Sequence, residues 1–189
     1  LAWTLFLLSQ HPRVLGDLLD ELTGALRGDA PTVAQLASLP LLDAVIKESM
    51  RVLVPVPILF LRVPSKEMQL GRFTLPKGSN VVLSPYTMHH DPELYAEPRR
   101  FRPERWETLR PSPYEYMPFG AGPRICIGAA FASLEMRVVL GTMLRELGVT
   151  LCEPHAPSPV RRNVTLAPEG GVPVILTAER PGVVQAAAA

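Results

Sequence analysis

The chain has 189 residues, enough for one ordinary domain, and its 19 basic and 18 acidic residues nearly cancel. Balanced charge argues against a nucleic-acid partner, and 47% hydrophobic residues argue against a disordered chain. Cys126 and Cys152 are too few for a disulfide framework and lack zinc-ligand spacing, which favours an intracellular, cytoplasmic protein. The apolar run that opens at Leu1 is typical of a buried element. We therefore expect sequence upstream, which leaves a membrane anchor there open.

Apolar residues at helical spacing predict four helices in the first third of the sequence. Pro12 suits the first turn of the second helix, which should end before Gly28. Pro55 and Pro57 should terminate the fourth, because proline disrupts a helix interior. The predicted bounds are about Leu1–Gln10, Pro12–Leu26, Thr32–Ala37 and Ser38–Leu53.

The middle of the sequence changes from helical spacing to short strands and then to a long loop. Short strands are predicted between Ile58 and Leu83, with a turn at Pro76–Gly78. A short helical turn is predicted at His89–Asp91. Residues Pro92–Pro123 contain seven prolines and little periodicity. A loop of that length inside a compact domain is usually functional.

The last third predicts one long helix and two strands. The helix should run from Gly128 to Leu147, and we expect it to be buried because it is apolar on most sides. Strands near Val164–Leu166 and Val172–Thr177 flank a turn at Gly170–Gly171. We expect residues 181–189 to form a frayed tail.

A cysteine stands among glycines just before the long helix, in the stretch Phe-Gly-Ala-Gly-Pro-Arg-Ile-Cys-Ile-Gly from Phe119 to Gly128. Glycine and proline set a tight backbone path, and accessible amides with the following helix N-terminus favour an anionic sulfur at Cys126. Arg124 adds a nearby positive charge, and an iron ligand requires such a thiolate. A buried structural cysteine is the plainer alternative. The sequence offers no partner ligands for a zinc site, no CxxC redox motif and no histidine motif for a cysteine protease.

The same stretch resembles the haem loop of the cytochrome P-450 family, Phe-x-x-Gly-x-Arg-x-Cys-x-Gly, at all five fixed positions. The resemblance implies that Cys126 is catalytic and is the thiolate ligand of the iron of haem b. It also implies that Arg124 and Arg62 pair with haem propionates, for which the forked guanidinium is suited. A solvated strand residue is an equal alternative for Arg62. The residues that the resemblance places at the cofactor are Cys126, Arg124, Arg62, Phe119, Gly120 and Gly128.

Two further motifs occur in the order that the family shows. Glu48 and Arg51 are three apart on a predicted helix and, taken alone, indicate an ordinary surface ion pair. They match the family's Glu-x-x-Arg pair. Phe101–Trp106 resembles the family's Phe-x-Pro-x-Arg-Phe segment, with Trp106 in place of the final Phe. The resemblance implies that Arg105 completes a buried three-member network with Glu48 and Arg51.

The resemblance covers Leu1 to about Thr177 and implies a mainly α fold with small β-sheets, an incomplete cytochrome P-450-like fold. Residues 1–180 would be the C-terminal haem-binding portion of a single domain, and the family's oxygen-side acid–alcohol pair would lie upstream. A histidine at position 89 or 90 would have a structural role. Pro55–Phe60 and the turn at Gly170–Gly171 would line a hydrophobic pocket, with core packing as the alternative.

The implied reaction is a monooxygenation, in which O2 is activated and one oxygen atom enters a hydrophobic small molecule. The electron donor would be a ferredoxin or a flavoprotein reductase, since the chain has no flavin or iron–sulfur motif. An arginine-rich stretch could steer an acidic donor, although a solvated loop is an equal alternative. Its members are Arg99, Arg100, Arg102, Arg105 and Arg110. Two other functions stay open: a peroxide-dependent or isomerising haem-thiolate enzyme, and a truncated product without activity.

Overall fold

The computed structural model describes residues 1–26, 30–152 and 156–177, and it confirms a mainly α fold with small β-sheets. The helices in these ranges are α1 (Ala2–Gln10), α2 (Pro12–Ala25), α3 (Val33–Ala37), α4 (Pro40–Val52), α5 (Pro85–His89) and α6 (Ala129–Glu146). The strands are β1 (Met68–Leu70), β2 (Phe73–Leu75), β3 (Gly148–Leu151), β4 (Pro159–Arg162), β5 (Thr165–Pro168) and β6 (Val174–Thr177). Single 3-10 turns lie at Pro103–Glu107 and Gly122–Arg124.

The four helices predicted in the first third are confirmed, each within two residues of its expected bounds. Helices α2 and α4 start at Pro12 and Pro40, where a missing amide hydrogen costs nothing. Helix α3 starts with a capping box, in which Gln35 N donates to Thr32 Oγ1 and Thr32 N donates to Gln35 Oε1. The predicted stop at Gly28 lies outside the described residues.

The start of α4 is fixed by an acidic side chain from another helix. The Glu21 carboxylate on α2 accepts hydrogen bonds from Leu41 N at 2.8 Å and Leu42 N at 2.9 Å. It thereby satisfies two amides that have no partner within α4, and it places negative charge at the positive helix end. This contact joins α2 to the helix that carries Glu48 and Arg51.

The apolar core lies between α1, α2, α3, α4 and α6. Helix α6 approaches α3 closely, because a Cβ added to Gly141 would lie 2.6 Å from Leu36 Cδ2. The prediction that α6 is buried is wrong: Leu140 and Leu144 are buried, whereas Phe131 is 71% exposed. One face of this helix packs on the core, and the opposite face is open. Fully buried side chains of the core include Leu18, Leu22, Leu42, Val45 and Leu140.

The predicted strands between Ile58 and Leu83 reduce to one exposed hairpin and one isolated bridge. Strands β1 and β2 pair antiparallel, and a single bridge joins Arg62 to Val81. The turn at Pro76–Gly78 is confirmed, since Ser79 N donates to Pro76 O at 3.2 Å.

The helical turn predicted at His89–Asp91 is instead the end of α5, which begins four residues earlier at Pro85. Its start was missed, although Ser84 caps it by accepting a hydrogen bond from Thr87 N. From His89 to the 3-10 turn that ends at Arg124, the chain forms only short turns. This agrees with the long loop that was predicted from the prolines and the lack of periodicity in this stretch.

Both strands predicted near the C-terminus form, but they do not pair with each other. Strand β5 pairs with β4, and β6 pairs with β3, so the turn at Gly170–Gly171 joins two separate small sheets. Strands β3 and β4 were not predicted. Residues 181–189 lie outside the described part of the chain. Within the described part, none of the helices has the length and apolarity that crossing a bilayer requires.

Candidate active site

Cys126 follows a loop whose path is set by two glycines in the left-handed region. Gly120 has φ +77° and Gly122 has φ +69°, values that side chains with a Cβ rarely adopt. Gly120 N donates to Met117 O at 3.0 Å, and Cys126 N donates to Phe119 O at 2.9 Å. The loop therefore closes on itself, so that Cys126 lies next to Phe119, the residue at which the loop begins.

Among the described residues the Cys126 thiol is free and exposed, and no side chain of these residues buries it as a structural cysteine would be buried. Its carbonyl accepts a hydrogen bond from Ala129 N, the first residue of α6, at 3.2 Å. A Cβ added to Gly128 would lie 3.8 Å from the Cys126 sulfur, an ordinary van der Waals distance, so Gly128 lies directly beside the sulfur. The sulfur thus lies exposed just before a helix N-terminus.

An open apolar face adjoins the cysteine. Phe131, Leu134 and Val138 lie on one side of α6 by their spacing, and each is exposed. Ile127, directly after Cys126, is fully exposed. Adjoining apolar side chains on a surface indicate a surface that binds something.

The segment that contains Arg62 packs against the cysteine loop. A Cβ added to Gly120 would lie 3.7 Å from Leu59 Cδ1, which shows that Leu59 touches the loop. Arg62 follows three residues later, and its Nη1 donates to Phe60 O at 2.9 Å. Within the described ranges, neither Arg62 nor the exposed Arg124 has an acidic partner. Two arginine side chains that have no acidic partner among the described residues therefore lie in segments that meet at the cysteine loop.

The segment predicted to line a substrate pocket meets a C-terminal strand. Pro55 O accepts a hydrogen bond from Leu166 N at 2.7 Å, and Leu166 belongs to β5. Strand β5 leads into the turn at Gly170–Gly171, which was the other predicted lining segment. Phe60, at the end of the first segment, is 74% exposed. The structure thus brings β5 to the base of the Pro55–Phe60 segment.

Behind the loop, the Glu48 carboxylate accepts five hydrogen bonds in complete burial. Oε1 accepts from Arg51 Nη2 at 2.9 Å, Arg105 Nε at 2.9 Å and Arg102 N at 3.0 Å. Oε2 accepts from Arg51 Nε at 2.9 Å and Trp106 Nε1 at 3.0 Å. The three-member network implied by the resemblance is confirmed. The surface ion pair that spacing alone indicated is wrong, because the segment around Arg105 covers Glu48.

Arg51 also holds the main chain of the long loop. Its Nη1 donates to His89 O at 2.6 Å and Pro98 O at 2.7 Å, and its Nη2 donates to Arg100 O at 3.1 Å. The guanidinium lies 5.0 Å from the centre of the Tyr95 ring. A single buried side chain therefore ties α4 to three points of a segment that has little regular structure.

Three members of this buried region were missed from sequence. Trp106 was noted only as a replacement for phenylalanine, yet its indole donates to Glu48. The Tyr95 hydroxyl donates to Glu115 O at 2.9 Å, and burial raises the pKa of Tyr95 to about 12. The Tyr116 hydroxyl donates to Lys47 O at 3.0 Å, and burial raises its pKa well above the usual value. The lack of periodicity in this loop gave no signal for them.

The arginine-rich stretch carries less free positive charge than its composition indicates. Arg100 and Arg102 pair with Glu97, and Arg102 also pairs with Glu104. Arg105 is held by Glu48 in the interior. These contacts weaken the case for a basic docking face here.

A family model described as cytochrome P-450 matches residues 1–173. The chain is 38% identical over 180 residues to cytochrome P-450 3A5 of Homo sapiens, which covers 93% of this chain and 35% of that protein. It is 37% identical over 177 residues to cytochrome P-450 4V2 of Mus musculus, which covers 90% of this chain and 33% of that protein. It is also 38% identical over 177 residues to the mitochondrial 25-hydroxyvitamin D-1 alpha hydroxylase of Homo sapiens, covering 91% and 35% respectively.

A solved structure has the same fold. The zebra fish cytochrome P-450 determined with progesterone superposes with a TM-score of 0.83 and 32% identity, covering 94% of this chain and 40% of that one. The chain spans about a third of the length of the curated relatives it matches. Family model, identities and superposition agree with the cysteine loop and the buried carboxylate cluster. The chain belongs to the cytochrome P-450 family, whose members are haem-thiolate monooxygenases that carry haem b.

Proposed function

We propose that Cys126 is the thiolate ligand of haem iron in a monooxygenase that oxidises a hydrophobic small molecule. The observation that carries the proposal is the exposed sulfur at the end of a loop fixed by two left-handed glycines. A donor set of one free thiol, with no cluster of other metal ligands in the described ranges, fits a porphyrin iron that needs one protein ligand on this side. Residues 1–180 form the C-terminal haem-binding portion of one domain.

The surroundings of Cys126 fit a flat, largely apolar cofactor with two carboxylates. The open apolar face of α6, which includes Phe131, and the adjoining Ile127 offer contact area for a macrocycle. Arg62 and Arg124 offer guanidinium groups for two propionates, and neither is engaged by an acid in the described residues. Phe119, Gly120 and Gly128 line the loop side of the same site.

Each of these residues has a role that follows from its place. Cys126 would hold the iron of the cofactor through its sulfur and would supply electron density to it. The closed loop path through Phe119 and Gly120 orients that sulfur, which lies just before the N-terminal end of α6. Arg62 and Arg124 would hold the carboxylates of the cofactor. Haem b, when bound, supplies the activation of O2.

The proposal is tested with the complete polypeptide that carries this chain. The haem-loaded protein, reduced and exposed to carbon monoxide, should show the red-shifted Soret band of a thiolate-ligated haem. Cys126→Ser should abolish that band, because a serine hydroxyl remains protonated at neutral pH and cannot replace the thiolate ligand. Cys152→Ser is the matched control, since Cys152 is the other free and exposed cysteine, and it should leave the band unchanged. A band that survives Cys126→Ser, or is absent from the wild type, would refute the proposal.

The electron source separates two versions of this function. A monooxygenase fed by a ferredoxin or a flavoprotein reductase should turn over with NAD(P)H, reductase and O2. A peroxide-dependent or isomerising enzyme should turn over without them. We propose the first version, because the similar mitochondrial protein of Homo sapiens is named a hydroxylase. Turnover that requires only peroxide, or no oxidant, would select the second.

The exposed apolar face also favours a second candidate function, in which this chain by itself binds haem weakly and has no activity. Ile127 and Phe131 are open to solvent, so residues 1–177 by themselves supply one side of a haem site. The chain alone should therefore bind haem weakly and lack turnover, whereas the complete polypeptide should retain haem through gel filtration. Equal haem retention by both would contradict this expectation.

A further inference from the structure

His89 is a fully buried histidine that the proposed function does not use. Its Nε2 accepts a hydrogen bond from Met117 N at 2.9 Å. A neutral imidazole has one donor and one acceptor nitrogen, so the proton lies on Nδ1. No atom of the described residues accepts a hydrogen bond from that Nδ1. The side chain therefore makes one directed polar contact, and that contact is with the chain that enters the cysteine loop.

Two aromatic rings hold the imidazole in this orientation. Tyr116 stacks on it with ring centres 5.3 Å apart, and Tyr95 meets it edge-on at 6.4 Å. Burial, with a smaller contribution from the nearby Arg51 charge, lowers the pKa of His89 to about 4. The ring is therefore neutral at physiological pH, and Nε2 remains an acceptor.

The main-chain carbonyl and the side chain of His89 together connect the buried Glu48 carboxylate cluster to the cysteine loop. Its main-chain carbonyl accepts a hydrogen bond from Arg51 Nη1 at 2.6 Å, and Arg51 is paired with Glu48. Its side chain holds Met117 N. Met117 O accepts a hydrogen bond from Gly120 N, the first left-handed glycine of the loop. A continuous set of polar contacts thus runs from the scaffold to the loop that presents Cys126.

We propose that His89 is a positioning residue for Cys126, which fixes the point at which the polypeptide enters the cysteine loop. The inference rests on the proposed function of Cys126 as iron ligand. Without the Nε2 acceptor, the buried Met117 amide has no partner and the entry to the loop must shift to find one. Because Cys126 N bonds Phe119 O two residues further on, the sulfur moves with it.

Two amide substitutions separate positioning from simple filling of space. In His89→Gln, the side-chain oxygen reaches the place of Nε2 and can accept from Met117 N. In His89→Asn, the amide ends near the place of Nδ1 and cannot reach it. Both variants bury one neutral amide, so they differ mainly in where the acceptor lies.

The measurement is the reduced carbon-monoxide spectrum of the folded, haem-loaded complete polypeptide. The ratio of haem without thiolate ligation to thiolate-ligated haem should rise about tenfold in His89→Asn, because a buried donor loses its acceptor. In His89→Gln the ratio should stay within about twofold of the wild type, because the acceptor is retained. His90→Asn is the control, since His90 is only partly buried and its Nδ1 contacts Tyr86 O rather than the loop; it should leave the ratio unchanged.

A ratio that His89→Asn leaves at the wild-type value overturns the inference, as does an equal rise in the Asn and Gln variants. Failure of both variants to fold also overturns it, because His89 would then serve the fold rather than the sulfur. Absence of the thiolate band in the wild type would instead overturn the proposed function of Cys126. The two proposals therefore fail by different observations.

Discussion

Glutamine in place of Glu48 should lower the free energy of unfolding by about 4 kcal/mol, although it preserves the shape of the side chain. The carboxylate has no exposed surface and faces Arg51 and Arg105, both of which are charged. Removing the negative charge leaves these guanidinium groups without their counter-ion in the interior. That loss is costly because a charge away from water needs a partner.

The magnitude follows from the count of donors on each oxygen. Three donors meet Oε1 of Glu48 and two meet Oε2. An amide nitrogen accepts none, so the best orientation of the glutamine places nitrogen at Oε2 and loses the bonds from Arg51 Nε and Trp106 Nε1. A hydrogen bond to a charged group contributes about 1.5 to 3 kcal/mol. Breaking a buried ion pair by removing one partner costs about 3 to 5 kcal/mol, which agrees with that estimate.

Guanidinium-induced unfolding of the complete polypeptide, followed by tryptophan fluorescence, measures the change. Glu104→Gln is the matched control, because Glu104 also pairs with an arginine but is 55% exposed, as Arg102 is 38% exposed. That exposed pair should contribute no more than about 1 kcal/mol. A Glu48→Gln loss below about 1 kcal/mol, or equal to that of the control, would refute the reasoning from burial.

Three further changes test other parts of the structure. Because the pKa of His89 is about 4 in the folded chain against 6.5 ordinarily, the unfolded chain binds more protons between these values. The contribution of His89 to the free energy of unfolding should thus be fully present above pH 6.5, and the free energy should fall by about 3 kcal/mol towards pH 4. In denaturant titrations at several pH values, His89→Gln should reduce this pH dependence. Glu21→Gln should cost about 1 kcal/mol in thermal unfolding, because one of the two amides at the start of α4, such as Leu41 N, loses its acceptor. Gly120→Ala should cost about 1 to 2 kcal/mol through its positive φ, whereas Gly16→Ala in the exposed face of α2 should gain up to about 1 kcal/mol; equal effects would contradict the role given to φ.

Local spacing predicted the helices of the first third well but not the environment of Glu48 and Arg51. Their positions lie off the apolar stripe of α4, which is typical of a solvent face. The segment that covers them, around Arg105, has no periodicity and is far away in sequence. Burial by such a segment is a tertiary effect, and only the match to a family motif indicated it.

Helix α6 and the C-terminal strands also show that local sequence patterns do not determine tertiary contacts. Apolar residues all round α6 predicted burial, but Phe131 is exposed because nothing in the described chain packs on that face. Strands β3 and β4 have four residues each, too few for a clear alternation. Their partners β6 and β5 were predicted, yet the pairing is decided by which strands the fold brings together.

Trp106 shows how a departure from a family pattern can add a contact rather than lose one. A phenylalanine would fill the same space, but the indole also donates to Glu48 Oε2, which raises the number of donors on that oxygen to two. Arg51, which shares this carboxylate, also holds the His89 carbonyl, and the His89 side chain holds Met117 at the entry to the cysteine loop. Scaffold and loop are therefore not independent units, because Arg51 donates to the His89 carbonyl and the Met117 amide donates to the His89 ring. The residues that stabilise the fold are for that reason also the ones that determine where the Cys126 sulfur lies.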